Sequence, residues 1–557
     1  MTAIENLDLV PVRPAPIGGP AAAPPSVPTP PIQPALNGNQ SDQDAVSLKT
    51  WLAVIGANIG AFLAVLNIQI VNSSLADIQG AIGSGIDDGG WISTSYLVTE
   101  IVVIPLSAWL SRAFSVRRYL LTNTVLFLAA SVACAFAHSL GQMIAWRALQ
   151  GFFGGVLIPL AFTIIMTKLP RSKQPIGIAM FALSATFAPT IGPTIGGWLN
   201  QTYGWQYTFY VNLPPGLLML AVLWGSLDRT PMQLRLLKEG DWSGIVTMAI
   251  GLAALQTLLE EGNKDDWFES PFILRLAVIA AVLLPLFVWI EFTKEKPLLN
   301  FRLFFQRNFA FGGIANSLMG TVLYGSTFVV PLYLSQMQGY NAEQIGEVLA
   351  WYGLPQLAII PFVPALMKRV DPRLLAGFGL ALVAVSLFMN SALNSDYGGH
   401  QLFLPNIVRA LGQSLIMTPL AAITTAGIEG ENAGSASSLF NMMRNLGGAI
   451  GIAGLQTFLT KREQYHSNIL ADSVSLFKEA TRTRIDALTT YFMSHGAGDP
   501  AYARHEAIVE VGRVIRRQAF FMGYSDTFFL IGTLSVLAVV AVTFLKKASG
   551  PETGPAH

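Results

Sequence analysis

The chain has 557 residues, 52% of them hydrophobic and only 12% charged, with a mean hydropathy of +0.50; soluble chains carry roughly 25% charged residues. The formal charge of +1 says little, because the information lies in how charge is distributed. The one cysteine, Cys134, excludes an intrachain disulfide and a cysteine-rich metal site, and the 6 scattered histidines form no HExxH or zinc spacing. With no GxxxxGK phosphate loop either, enzymatic, cofactor-dependent and ATP-driven readings have no support, and nucleic acid is not expected as a partner.

Residues 1–48 differ from all that follows. Prolines recur from Pro11 to Pro34 among Ala, Ser and Gly, and Arg13 is the sole basic residue before Lys49. A disordered, partly extended tail is predicted, without the basic start and apolar core of a signal peptide. From Trp51 apolar segments near 20 residues long follow in series, as a hydrocarbon core of about 30 Å requires. Fourteen spans are predicted, at 51–72, 91–110, 118–138, 141–166, 177–199, 206–226, 243–260, 271–291, 309–332, 343–366, 372–392, 402–427, 433–458 and 521–545. The fold class is an all-α integral membrane protein.

The loops set its orientation. With the N-terminus in the cytoplasm, sixteen basic residues lie inside, from Arg112, Arg117 and Arg118 through Lys296 to Lys368, Arg369 and Arg373. The opposite short loops hold Lys264 beside acids such as Asp77, Asp87 and Asp88. That bias predicts two cytoplasmic termini.

The fifth span contains APTIGPTIGG, Ala188 to Gly197. In hydrocarbon a helix with these prolines must bend rather than end, and Gly192, Gly196 and Gly197 admit another backbone closely. WRALQGFFGGVLIPL, from Trp146, is echoed by VRALGQSLIMTPL, from Val408. The repeat predicts two bundles rocking about a central cavity. The expected domains are a tail (1–48), a six-helix bundle (49–228), two inserted helices (229–300), a second six-helix bundle (301–546) and a tail (547–557). Within the second bundle, the polar external loop 461–519 interleaves charged and apolar residues, which predicts amphipathic helices lying at or near the outer interface.

Further fragments stand out: WQYTFYVNLPPG with Trp205, Phe209, Asn212, Pro214 and Gly216; Asp241 with Gly244; and FNMMRNLGGAIG with Asn441, Arg444, Asn445, Gly447 and Gly448. Together with Arg147, Gln150, Gly151, Gly154 and Pro159, and with Ala188, Gly192, Pro193, Gly196 and Gly197 of an antiporter motif GxxxGPxxGG, they resemble the major facilitator superfamily. The resemblance is to its fourteen-helix EmrB/QacA-type drug:H+ antiporter group and covers residues 50–546. It implies two six-helix bundles plus two extra helices, and export of lipophilic or amphipathic compounds across a bacterial inner membrane, driven by the proton gradient without a cofactor. A periplasmic fusion protein and an outer-membrane channel are partners it allows. Ala188 stands in place of the antiporter motif's first glycine, and two further departures matter. The gating loop keeps Arg112, Arg117 and Arg118, but Ser111 replaces its acid and Ala108 and Ser115 replace glycines. The acid of the first helix is Asn67, which cannot titrate.

Glu100, ten residues into the second span, is the favoured proton carrier. A carboxylate there is costly unless it faces a cavity or a partner. A structural ion pair, or a contact to a cationic substrate, would use the same residue. Glu347 is a second candidate, and Arg147, Arg409 and Arg444 are read as the responding charges. For the substrate cavity the candidates are Asn58, Phe62, Asn67, Gln69, Tyr96, Phe187, Met319, Tyr324, Trp351, Tyr352, Gln356, Met417 and Asn441. Their aromatic faces, methionines and amides suit bulky amphipathic molecules. A dedicated exporter of one metabolite, such as a siderophore or fatty acid, and a non-transporting scaffold or sensor are the alternatives.

Overall fold

The computed structural model describes residues 46–547, apart from 86, 87, 296, 395, 429–431 and 497. The Pro-rich segment up to residue 45, the tail beyond Lys547, Asp87 and Lys296 lie outside the described residues. Among the described residues all regular structure is helical.

Among the described residues fourteen long helices follow one another. The first eight are α1 (Leu48–Ser73), α2 (Trp91–Phe114), α3 (Val116–Ala135), α4 (Leu140–Lys168), α5 (Gln174–Tyr203), α6 (Tyr207–Ser226), α7 (Trp242–Glu261) and α8 (Pro271–Thr293). After them come α9 (Arg307–Gln338), α10 (Glu343–Met367), α11 (Pro372–Ala392), α12 (Phe403–Thr424), α13 (Asn432–Ser473) and α14 (Pro500–Thr543). All but α13 are long and apolar enough to cross a membrane. The predicted span 433–458 lies within α13, whose 42 residues bury Asn441 and Arg444 and are covered by α2, α4, α9 and α14. Neighbouring helices, rather than apolarity, shelter it.

Local chemistry explains the interruptions. α4 breaks after Gly154 and resumes at Leu157; α12 breaks after Ser414 and resumes at Met417. In both, a proline (Pro159 or Pro419) is the third residue of the resumed helix, where its missing N–H would have had no partner. The repeat in the sequence is thus a repeat in backbone shape. α5, by contrast, stays one helix through Pro189 and Pro193.

α1 packs on α5, α6 and the second part of α4, while α2 lies against the first part of α4. Later in the chain α9 packs on α13 and α14, α10 on α12, and α11 on α12 and α14. These two sets meet where α5 touches α10 and where α2 and α4 touch α13. α7 and α8 pack on each other, with α7 also against α2 and α13.

The loop 461–519 differs from its expected form. α13 runs on to Ser473, α14 already begins at Pro500, and a separate helix, Glu479–Ser494, packs on α14. Part of the amphipathic pattern serves contacts among these helices. Ile485, Ala503 and Ala507 are buried, and Arg462 and His466 of α13 meet Asp526 of α14 at 2.6 and 2.7 Å. Arg516 reaches Glu463 at 3.6 Å.

Candidate functional site

Glu100 lies near the middle of α2 and is 3% exposed. It sits against the break in α4: a methyl group on Gly155 would stand 3.0 Å from both its Cα and its Cγ. Among the described residues no cation lies within ion-pair distance of Glu100, but it feels the charges of Arg444 and Arg147. Arg444 belongs to α13, which meets α2 and α4 tightly. Ser438 donates to the carbonyl of Ile104 (3.4 Å), Ser437 to that of Pro159 (2.9 Å), and Phe440 stacks on Phe162 at 5.7 Å. The Arg444 side chain is fully buried, lies 5.8 Å from the Phe181 ring, and has no hydrogen-bond partner at any guanidinium nitrogen. Glu100 and Arg444 therefore stand on facing helices of the two sets, both buried and neither neutralised by a direct partner.

Arg147 is held within the first set. Its guanidinium lies 4.3 Å from the Tyr96 ring, Nε donates to the Ile92 carbonyl (3.1 Å) and Nη1 to Gln150 Oε1 (2.7 Å). Gln150 Nε2 donates onward to Ser131 Oγ (2.7 Å) and Asn67 Oδ1 (3.2 Å), and Asn212 Nδ2 donates to Asn67 Oδ1 at 2.9 Å. Asn67 is thus a hydrogen-bonded core amide. Arg409 repeats the motif in the second set, 4.0 Å from the Tyr352 ring and donating to Thr327 Oγ1 (3.3 Å). Tyr96 and Tyr352, substrate-cavity candidates from the sequence, each lie beneath a buried arginine. Ser131, Thr327 and Gln413 were missed, although Gln413 follows Arg409 by one turn much as Gln150 follows Arg147.

The other candidates separate. Asn58 and Phe62 line a recess of about 240 Å³ with Ile55, Ile59, Met180, Leu183 and Ser184, and Phe187 stacks on Phe62 at 6.4 Å. Gln69 lies against Gly192, Tyr324 against Gly448, and Met319 and Met417 are buried in the core. Asn441 is buried and donates to the Ser437 carbonyl of its own helix (2.9 Å), and Gln356 to that of Tyr352 (3.0 Å). Trp351 is 48% exposed against Phe403, and Glu347 is exposed near the start of α10. Neither belongs to the buried polar groups.

The antiporter stretch does what its glycines suggested. A methyl on Gly196 would stand 2.8 Å from the Ile70 carbonyl, and one on Gly192 would collide with Gln69, so α5 lies directly on α1. Ala188 is fully buried, and Pro193 and Gly197 continue the same helix. On its other side α5 meets α10, where a methyl on Gly353 would stand 2.5 Å from Thr190. Of the gating loop, Arg117 donates to the Trp224 carbonyl (2.7 Å), Arg112 and Arg118 are exposed, Ser111 donates to the Ala108 carbonyl of its own helix (3.0 Å), and Ala108 packs close to Gly434 of α13.

A sequence profile of the Major Facilitator Superfamily matches residues 57–452. The chain belongs to that superfamily. Among its relatives, the colistin resistance protein EmrB of Acinetobacter baumannii is 30% identical over 90% of this chain and 97% of its own length. The fatty acid resistance protein FarB of Neisseria gonorrhoeae is 27% identical over 91% and 98%. Of solved structures, the proton:xylose symporter XylE superposes with a TM-score of 0.53 at 15% identity, covering 88% of this chain and 94% of that one. This superfamily member is a transporter rather than an enzyme, a multi-pass protein of the bacterial inner membrane.

Proposed function

We propose that this chain exports lipophilic or amphipathic compounds in exchange for protons, with Glu100 as the proton carrier and Arg444 as the charge that discharges it. The observation that carries this reading is the pairing by position of a buried carboxylate on α2 with a buried guanidinium on α13, without a hydrogen bond to fix either. A carboxylate in a dry site holds its proton, and one facing a guanidinium gives it up. Rocking α13 along α2 carries Glu100 between those two conditions, while the glycine contacts of α5 with α1 and α10 part and re-form. Arg147, anchored by Ile92 and Gln150, keeps the α2–α4 surface fixed during the movement. The collection of exposed Arg112, Arg118, Lys368 and Arg369 at one end supports cytoplasmic termini. The helical extension of α13 and α14 then stands on the periplasmic side, where a fusion protein and outer-membrane channel would take over the substrate.

The test is proton release from acidified, everted vesicles on addition of amphipathic compounds. Wild-type protein should dequench the interior pH probe, and Glu100→Gln should abolish the response while still binding substrate. Undiminished exchange in that variant would remove Glu100 from the mechanism.

A further inference from the structure

We infer that the second set of helices holds a binding site for an anionic head group, centred on Arg409, and that it selects amphiphiles bearing a carboxylate. The inference rests on the exporter reading above and adds the charge class of what is exported.

The two buried arginine–tyrosine motifs are alike in geometry but differ in completion. Around Arg147 the chain's own Gln150 takes the guanidinium's second donor. Around Arg409, which is 1% exposed, Nη1 has no acceptor, and Gln413 Nε2 and the Tyr352 hydroxyl are also buried and unpartnered. Gln413 stands one turn from Arg409 on the same face of α12, and Tyr352 lies beneath the guanidinium. These donors fit a carboxylate's two oxygens. The charge balance agrees. Arg147, Arg409 and Arg444 are buried in the middle of the molecule, where Glu100 is the lone buried carboxylate among the described residues; Asp241, Glu261, Glu291 and Glu463 lie at helix ends or in the extension. Buried charges need partners, and an anion from outside supplies one.

A place for the tail lies on the same two helices. Two to seven residues beyond Gln356 and Gln413, Ile359, Phe362, Val363 and Leu415 line a recess of about 440 Å³ together with Lys368 and Arg369. Basic residues at an apolar mouth attract an anionic amphiphile and repel a cationic one.

Full-length protein in lipid nanodiscs, without a gradient, would be dialysed against radiolabelled dodecanoate or dodecyltrimethylammonium, with empty nanodiscs subtracted. Dodecanoate should bind the wild type. Arg409→Gln should weaken it about 10- to 100-fold, the worth of a charge-assisted hydrogen bond, and leave the cation's binding no weaker. Arg409→Lys should retain most of the affinity, and Gln413→Leu should cost a few-fold, so that a folding defect in one variant cannot decide the matter. Equal binding of dodecanoate to wild type and Arg409→Gln would overturn the site, as would loss of a chloride-dependent thermal stabilisation in that variant with dodecanoate unaffected, since the anion would then be inorganic. Arg409-dependent binding without proton release would overturn the antiport reading and leave this site standing.

Discussion

At the scale of single residues, glycines decide how closely helices approach. Gly196 has the Ile70 backbone of α1 in the space its side chain would fill, so Gly196→Ala must push α1 and α5 apart. Overpacking of this kind costs about 1–3 kcal/mol, and we expect a lower thermal midpoint in detergent together with slowed export. Gly454 on α13 has nothing within 4 Å of the same position, and Gly454→Ala should hold or gain up to about 1 kcal/mol from helix propensity. Equal midpoints for the two variants would show that the close approach is not needed. The run APTIGPTIGG made this contact legible because small residues in an apolar helix have few other uses. Glu100 and Arg147 were legible for a similar reason: a charge in hydrocarbon demands an explanation. The partners of Asn67, Tyr96 and Tyr352 were not, because what a buried amide or ring meets depends on its neighbours. Those neighbours, Gln150, Asn212, Arg147 and Arg409, come from helices far along the chain.

At the scale of elements, the inserted helices α7 and α8 bridge the two sets. α7 is fastened along α2, with Thr94 Oγ1 donating to Glu261 at one end (2.7 Å) and Trp109 meeting Trp242 edge-on at the other (5.8 Å). Just beyond α7, Trp267 Nε1 donates to Thr457 Oγ1 of α13 (3.0 Å). α2 and α13 are the helices that carry Glu100 and Arg444, so the bridge spans the joint that has to move. A cross-link between Trp267→Cys and Thr457→Cys, in a Cys134→Ser background, should therefore stop export, and reductant should restore it. Export that continues through the cross-link would mean that the inserted pair travels with α13 rather than α2. Hydropathy located this pair and the helical character of residues 461–519. It could not tell that α13 and α14 extend outward as partners, because an amphipathic period is the same whether its apolar face meets lipid or protein.

At the scale of the whole molecule, three arginines, Arg147, Arg409 and Arg444, are buried in the interior, while two lysines share one acid at the end where α1 begins. There Asp228, just past α6, receives Lys168 of α4 at 2.7 Å and Lys49 of α1 at 2.6 Å. Lys168 first and Lys49 second hold its carboxyl down at about 2. A carboxyl depressed in the folded chain stabilises it above its ordinary value and loses that contribution only as pH falls through about 2. This tie is therefore constant across the pH range in which a bacterial membrane works. Its groups are half exposed, with Asp228 at 53% of its side chain, so each pair is worth about 0.2–1 kcal/mol and is weakened by salt. Asp228→Asn should lower the thermal midpoint slightly, by less at high salt, and leave the pH profile of export where it was. Glu100→Gln should do the reverse, abolishing proton-linked export without loosening that end of the molecule. A pH profile displaced by Asp228→Asn would mean that the proton is counted at the lysine-rich end as well as between α2 and α13, and the single-carrier mechanism would have to give way to a coupled one.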